Sequence, residues 1–176
     1  GFKSTFIGIE TPAEESLHEC NKVQNENRDL IQSVKKVQKA GMQVSGGFIV
    51  GFDSDKPNVF QRQIDFIQKS GIVSAMVGLL NAPKHTKLYD RLQAENRLTI
   101  EATGSNTDHS MNFKPKMNKN DLLSGYQKII ENIYDVKPFY QRLREFLSNY
   151  KPKNIGNGKR VKFSEIMAFI KTIIII

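Results

Sequence analysis

The whole chain holds one cysteine and no tryptophan. A single thiol, Cys20, excludes an internal disulfide. With no export signal at the N-terminus, the reducing cytoplasm is the expected compartment. Long apolar runs are missing as well. The closing run Ile173–Ile176 is only four residues and sits behind Lys171. A membrane span takes about 20 apolar residues, so this run is no anchor. The hydrophobic fraction is 39% and the mean hydropathy is -0.44, which places the chain in the soluble globular class. Its 176 residues suffice for one compact core, or for one core with a small appendage. No internal repeat is visible. The chain opens at Gly1 without a methionine and enters a strand-like run by Thr5, which reads as the start of a fragment.

Acidic residues are scarce in one region only. Residues 1–112 carry 13 basic and 13 acidic side chains, and residues 113–176 carry 13 and 5. The net charge of +8 therefore resides in the last third. Such a shift marks two regions with different surfaces. A basic surface can attract nucleic acid or an anionic membrane face, and a solvated surface is the simpler explanation.

What is present is a regular alternation. Phe6–Ile9 is a short apolar run ending near Glu10, read as a buried strand. Leu30, Ile31, Val34 and Val37 follow at helical spacing, and Gly41 stops that helix. Met42–Gly51 reads as a second strand with glycines in it. Asp55 and Pro57 then stand as N-cap and early-turn residues of a helix with Phe60, Ile64 and Ile67 on its stripe. Ile72–Leu80 is a third apolar run, and Leu88 and Leu92 place a third helix. The strands look apolar throughout, as expected when helices cover both faces of a parallel sheet. Three βα units fit either part of a (β/α) barrel or an open doubly wound sheet. After Leu98 a long polar loop over residues 101–120 is expected. Two amphipathic helices follow, one through Leu122, Tyr126, Ile129 and Ile133 and one from Pro138 to about Tyr150. Lys151–Arg160 reads as a basic linker, and a last helix should begin near Ser164. This divides the chain into an α/β part, residues 1–100, and a mainly helical, basic part, residues 101–176.

In parallel α/β folds ligands collect at the C-terminal ends of strands. Glu10 is the strongest candidate there, because a carboxylate can accept two hydrogen bonds from a vicinal diol such as a ribose. An ordinary exposed loop carboxylate is the alternative. Gly47 and Gly51 let a flat ring approach the backbone, or else serve a bulge or tight packing. Asp53 and Asp55 are too few oxygen ligands for a metal, and Asp55 is more simply an N-cap. His85 lies in a turn and reads as structural or exposed. Cys20 reads as a buried helix residue with no histidine or aspartate partner, since His18 points elsewhere on a helix. No metal site and no catalytic group is assigned.

Three segments carry a resemblance. Phe6-Ile7-Gly8-Ile9-Glu10-Thr11-Pro12 resembles the fourth-strand signature of radical S-adenosylmethionine barrels. Gly46–Asp55 resembles the fifth-strand signature, and Asn81–Tyr89 resembles the sixth-strand turn. The match covers residues 4–98 in the family's order. The segment from Asn106 through Pro115, with the helices after it, resembles the C-terminal domain of unknown function appended to a cobalamin-binding branch that includes hopanoid methylases. The resemblance implies a partial TIM-type (β/α) barrel with parallel strands, followed by a mainly helical region. It implies that Glu10 contacts the ribose of S-adenosylmethionine, with Thr11 beside it. Ile49 would meet the adenine between Gly47 and Gly51, and Leu80 and Asn81 would offer backbone groups to the adenine edge. The departures are Ser54 or Asp55 at the family's acidic position and His85 where glycine is frequent. The cluster motif and the second-strand motif are absent, and one cysteine cannot supply three thiolates to a [4Fe–4S] cluster.

The expected function is therefore that of a C-terminal fragment contributing nucleoside and substrate contacts to radical-based, methyl-transfer-type chemistry, inactive alone. S-adenosylmethionine, the cluster and cobalamin belong to the full-length parent, and this chain alone would make only weak S-adenosylmethionine contacts. The expected partner is the missing first half of the barrel, with self-association of the isolated chain. The alternative is a non-catalytic binding module whose basic C-terminal region contacts nucleic acid or anionic lipid. No RNA-binding signature with interleaved aromatics supports nucleic acid.

Overall fold

A computed structural model describes residues 2–99, 111–152, 162–164 and 166–167. Most of the expected polar loop, the basic linker from residue 153 and the Ile173–Ile176 tail lie outside the described residues. Phe163, Ser164, Ile166 and Met167 are helical where the last helix was expected.

The described chain is an α/β structure. Strands β1 (Ser4–Glu10), β2 (Gln43–Val50) and β3 (Ser74–Leu79) form a three-stranded sheet in the order β1-β2-β3. Both pairings are parallel. Between β1 and β2 lie α1 (Glu14–Glu19), a 3-10 turn (Val23–Asn25) and α2 (Leu30–Lys39). Helix α3 (Val59–Ser70) joins β2 to β3, and α4 (Lys87–Ala94) follows β3. Helices α5 (Lys119–Tyr134) and α6 (Val136–Asn149) come last.

Each boundary has a local cause. The Asp29 carboxylate accepts from Gln32 N at 2.9 Å and starts α2. Thr86 caps α4 through Tyr89 N, and Asn118 caps α5 through the amides of Asn120 and Asp121. Gly71 ends α3 in the left-handed conformation at φ 69°, where glycine carries no Cβ penalty. A Cβ there would also stand 2.9 Å from Phe146 N of α6.

The core lies on one side of the sheet. Val44, Phe48, Val50, Ile9 and Ala75 are buried against the helices, with Phe48 edge-on to Phe66 of α3 at 5.8 Å between ring centroids. The opposite face carries Phe6, Gly8, Gly47, Met76 and Gly78. Phe6 is 59% and Met76 56% exposed, and no atom of the described residues lies within 4 Å of where a Gly78 Cβ would be. Among the described residues no helix covers that face, which corrects the expectation of helices on both sides. Burial along β2 does alternate. The alternation is hidden in the sequence because the open face bears Phe, Met, Ile and Gly rather than charge.

Helix α5 closes the core over α3 and the β3 edge. Gly125 faces the Phe60 ring so closely that any Cβ would overlap it. Tyr134 Oη donates to Ala75 O at 2.7 Å and Tyr126 Oη to Val77 O at 3.4 Å, so α5 supplies partners to the β3 backbone. Helix α6 is anchored by Arg142, which is 1% exposed. Its guanidinium donates to Ile133 O at the end of α5 at 2.8 Å, to Val73 O at 3.3 Å and to Gln68 Oε1 at 3.3 Å. Burial pushes the guanidinium pKa down, and the carbonyl oxygens with the negative end of α5 offset the cost of holding that charge inside.

Candidate functional site at the C-terminal rim of the sheet

Glu10 ends β1 at a bulge. The register slips between Gly8, opposite Gly47, and Glu10, opposite Phe48. Glu10 takes φ 66°, a left-handed conformation that glutamate adopts at a cost of about 1 kcal/mol or more. Three side chains hold it there. Asn25 Nδ2 donates to Gly8 O at 3.2 Å and Ile9 O at 3.3 Å. Gln63 Nε2, from fully buried Gln63 of α3, donates to Ile49 O at 2.8 Å and Glu10 O at 3.4 Å. Lys22 Nζ lies 2.7 Å from Glu10 Oε1. The turn folds the carboxylate back over Gly8, where a Cβ would stand 2.5 Å from Oε1. Among the described residues no side chain or amide bonds to Oε2, and the side chain remains 19% exposed.

The other sequence candidates fall in different surroundings. Thr11 is fully buried, and its Oγ1 accepts from Ala13 N at 3.2 Å. Gly47 lies within β2 rather than at its end, and the Phe6 ring covers it at 2.8 Å from a notional Cβ. Ile49 is half-buried two residues further along β2. Gly51 leaves β2 at φ 106° and is enclosed by Met111, Leu122 and Leu80. Glu10 and Gly51 thus share the C-terminal end of the sheet. Leu80 N continues the sheet pattern to Val50 O at 2.8 Å. Asn81 Oδ1 accepts from Asn112 N at 3.1 Å. Asn112, 1% exposed, gives its Nδ2 to Ala82 O and accepts Ala82 N on Oδ1, standing in for a neighbouring strand.

Asp55 does not cap α3, which starts one residue after Asn58. Its carboxylate instead accepts Gly51 N at 2.8 Å, Phe52 N at 3.1 Å and Ser16 Oγ at 2.7 Å. It ties the β2–α3 turn to α1. Burial raises its pKa, and those three donors oppose the rise without cancelling it. Cys20 is also corrected: it is half-buried at the C-cap of α1, and burial pushes its thiol pKa up, so it is a poor nucleophile. His85 sits in its turn at φ 67°.

Beside this rim runs a charge network that the sequence did not disclose. Asp53, 6% exposed, accepts both Arg97 Nη atoms at 2.6 and 2.7 Å, with Arg91 at 3.3 Å and Lys116 at 3.8 Å. Burial works against the charged form of Asp53, but the Arg97 hydrogen bonds and the surrounding cations outweigh it and hold the pKa low. Glu19 receives Arg91 at 3.0 Å, the amides of Asp53 and Ser54, and the Ser54 hydroxyl. A cleft of about 430 Å³ opens above this network between Glu19, Cys20, Phe52, Leu80, Lys87 and Arg91. Among the described residues there is no cluster of histidine, cysteine and carboxylate groups able to hold a metal ion. No described helix is long and apolar enough to cross a membrane.

A parallel α/β sheet with its polar turns gathered at one rim defines the class. The chain belongs to the family described as Domain of unknown function (DUF4070), whose model matches residues 86–176. It is 38% identical over 154 residues to an uncharacterized methyltransferase of Synechocystis sp., a match covering 86% of this chain and 29% of that protein. It is 36% identical over 97 residues to a hopanoid C-2 methylase of Rhodopseudomonas palustris, covering 55% of this chain and 18% of that protein. A bacteriochlorophyllide d C-12(1)-methyltransferase of Chlorobaculum tepidum is 25% identical over 144 residues, covering 82% of this chain and 31% of that protein. The chain thus spans less than a third of the length of these curated relatives. The resemblance to the C-terminal portion of a cobalamin-type radical S-adenosylmethionine protein holds on these matches.

Proposed function

We propose that this chain supplies the nucleoside-binding and substrate-shaping part of a radical S-adenosylmethionine methylase, with residues 4–98 as the fourth to sixth βα units of a (β/α) barrel. One observation carries the reading: the Glu10 carboxylate is held at the C-terminal rim, folded over Gly8 and beside the uncovered sheet face. Lys22 keeps one oxygen, and the other remains for a ribose diol. Sheet strands with helices on one side and an open face on the other also suit a barrel segment, whose inner face other strands would close. The names of the relatives support methyl transfer.

In the whole protein, bound S-adenosylmethionine would be the source of the carbon radical. This chain's part is to bind and orient. Glu10 would take the ribose, Ile49 would support the adenine, and the backbone near Leu80 and Asn81 would meet its edge. Gly47 and Thr11 need rearrangement to take part, because Phe6 covers the first and burial encloses the second. The residues present do not fit the cluster itself, since Cys20 is the chain's one thiol. On this reading the chain alone does not turn over, and cobalamin belongs to the whole protein.

The test is Glu10→Ala in the protein that carries the cluster, with S-adenosylmethionine affinity measured by calorimetry. Loss of charge-assisted hydrogen bonds should cost about 1.5–3 kcal/mol, roughly ten- to a hundredfold. Unchanged affinity would remove the ribose role.

A further inference from the structure

We propose that the solvent side of α6 is a membrane-surface contact that takes anionic phospholipid headgroups. The helix has two unlike sides. Arg142 is buried in the core, and Glu145 is turned to Lys35 of α2 at 2.6 Å. On the opposite side Val136 is 49%, Tyr140 37% and Leu147 58% exposed. Lys137 and Arg144 are exposed among them, and Lys151 follows just past the end of the helix. A period of 3.6 residues sets Lys137, Tyr140, Arg144 and Leu147 along one stripe. None of the three cations has an acidic partner among the described residues, and the two acidic groups nearest in sequence lie off the stripe: Glu145 is paired with Lys35, and Asp135 precedes the helix.

Cations alternating with apolar side chains on one helix face suit an interface better than open water. Long basic stems lie along the headgroup layer with their charges outward, while Tyr140 and Leu147 enter the acyl boundary. The charge sign selects anionic lipid. Nucleic acid fits less well: it would use the cations, but it gives Val136 and Leu147 nothing to bury in and offers only Tyr140 for base stacking. The inference is independent of the nucleoside reading.

The experiment is co-sedimentation of the 176-residue chain with vesicles of phosphatidylcholine, with and without phosphatidylserine, at low and high salt, against a control without vesicles. Binding is expected only with phosphatidylserine and should weaken with salt. K137Q/R144Q/K151Q should weaken it about a hundredfold, since each cation contributes about fivefold. Y140S/L147S should weaken it while leaving the salt dependence unchanged. Circular dichroism should show both variants folded, because every changed side chain is exposed. Equal binding to both vesicle types, no binding, or undiminished binding by the triple variant overturns the proposal. So does a gel shift of an oligonucleotide that the triple variant abolishes while vesicles leave the chain in solution.

Discussion

Lys22 Nζ meets Glu10 Oε1 at 2.7 Å across a turn in which Glu10 itself is left-handed, at φ 66°. The pair therefore fixes the direction of a carboxylate whose backbone is already unusual. Asn25 and Gln63 hold the same turn through its carbonyls, so the strained residue is determined from three sides.

That arrangement separates a folding role for Glu10 from a binding role. Glu10→Gly removes a strain of about 1 kcal/mol and loses an ion pair of about the same size, leaving stability nearly unchanged. Glu10→Ala keeps the strain and loses the pair, so it should be less stable than Glu10→Gly by about 1 kcal/mol. Urea denaturation of both variants checks this. Equal stabilities would mean that the left-handed turn costs nothing here.

Asp53 should govern the acid limb of stability. Its pKa is lowered in the fold by Arg97 and its neighbours, against the effect of burial. A depressed carboxylate pKa means the unfolded chain binds the proton more readily. The contribution is then full above the unfolded value near 3.8 and is lost as pH falls through the lower folded value. Asp53→Ala leaves Arg97, 14% exposed, without its bidentate partner and should cost about 3 kcal/mol at neutral pH. Thermal melts from neutral pH into acid should show a shallower fall for the variant than for wild type. Parallel curves would assign the acid limb to other groups.

Gly125 is the tightest point of the contact between α5 and α3. A methyl there overlaps the Phe60 ring, which is itself 8% exposed and has little room to turn. Helix propensity favours alanine over glycine by about 1 kcal/mol. Overpacking should outweigh that gain, for a net loss of about 1–2 kcal/mol. Gly125→Ala combined with Phe60→Leu should recover part of the loss. A Gly125→Ala chain more stable than wild type would show that the ring moves freely.

The strands and most helices were legible because continuous apolar runs, helical spacing and the stop at Gly41 all act locally. Which face of the sheet stays open was not legible, because Phe6, Ile49 and Met76 look like core. Asp55 departs from the expected N-cap because a carboxylate near a helix start has two sets of orphan amides in reach. It takes those of Gly51 and Phe52 in the preceding turn, while α3 begins later, beyond Asn58. Glu10 stood out through its motif, but Lys22 and Gln63 did not. Their contacts depend on a left-handed turn and on a helix packed across the strand ends, neither of which leaves a periodic trace. Asn112 and Arg97 are long-range partners of the same kind.

The isolated chain should self-associate through the open sheet face and the β1 side, and not through β3. Phe6 and Met76 are more than half exposed on that face, and their burial is worth about 25 cal/mol per Å² of apolar surface removed from water. Among the described residues β1 has no strand neighbour on its outer side, and Asn25 there bonds to the Gly8 and Ile9 carbonyls. β3 differs, because Tyr134 and Tyr126 of α5 already occupy its Ala75 and Val77 carbonyls. Phe6→Lys with Met76→Lys places like charges on the open face and should shift the chain toward monomer, with little loss of stability because both side chains face outward. Tyr134→Phe should cost about 1 kcal/mol for the lost hydrogen bond and should increase association, since it uncovers one carbonyl of the protected edge. Light scattering across a concentration series reads all three. A wild-type chain that stays monomeric at high concentration, or a double-lysine variant that associates as strongly as wild type, would show that the open face is not what brings copies together.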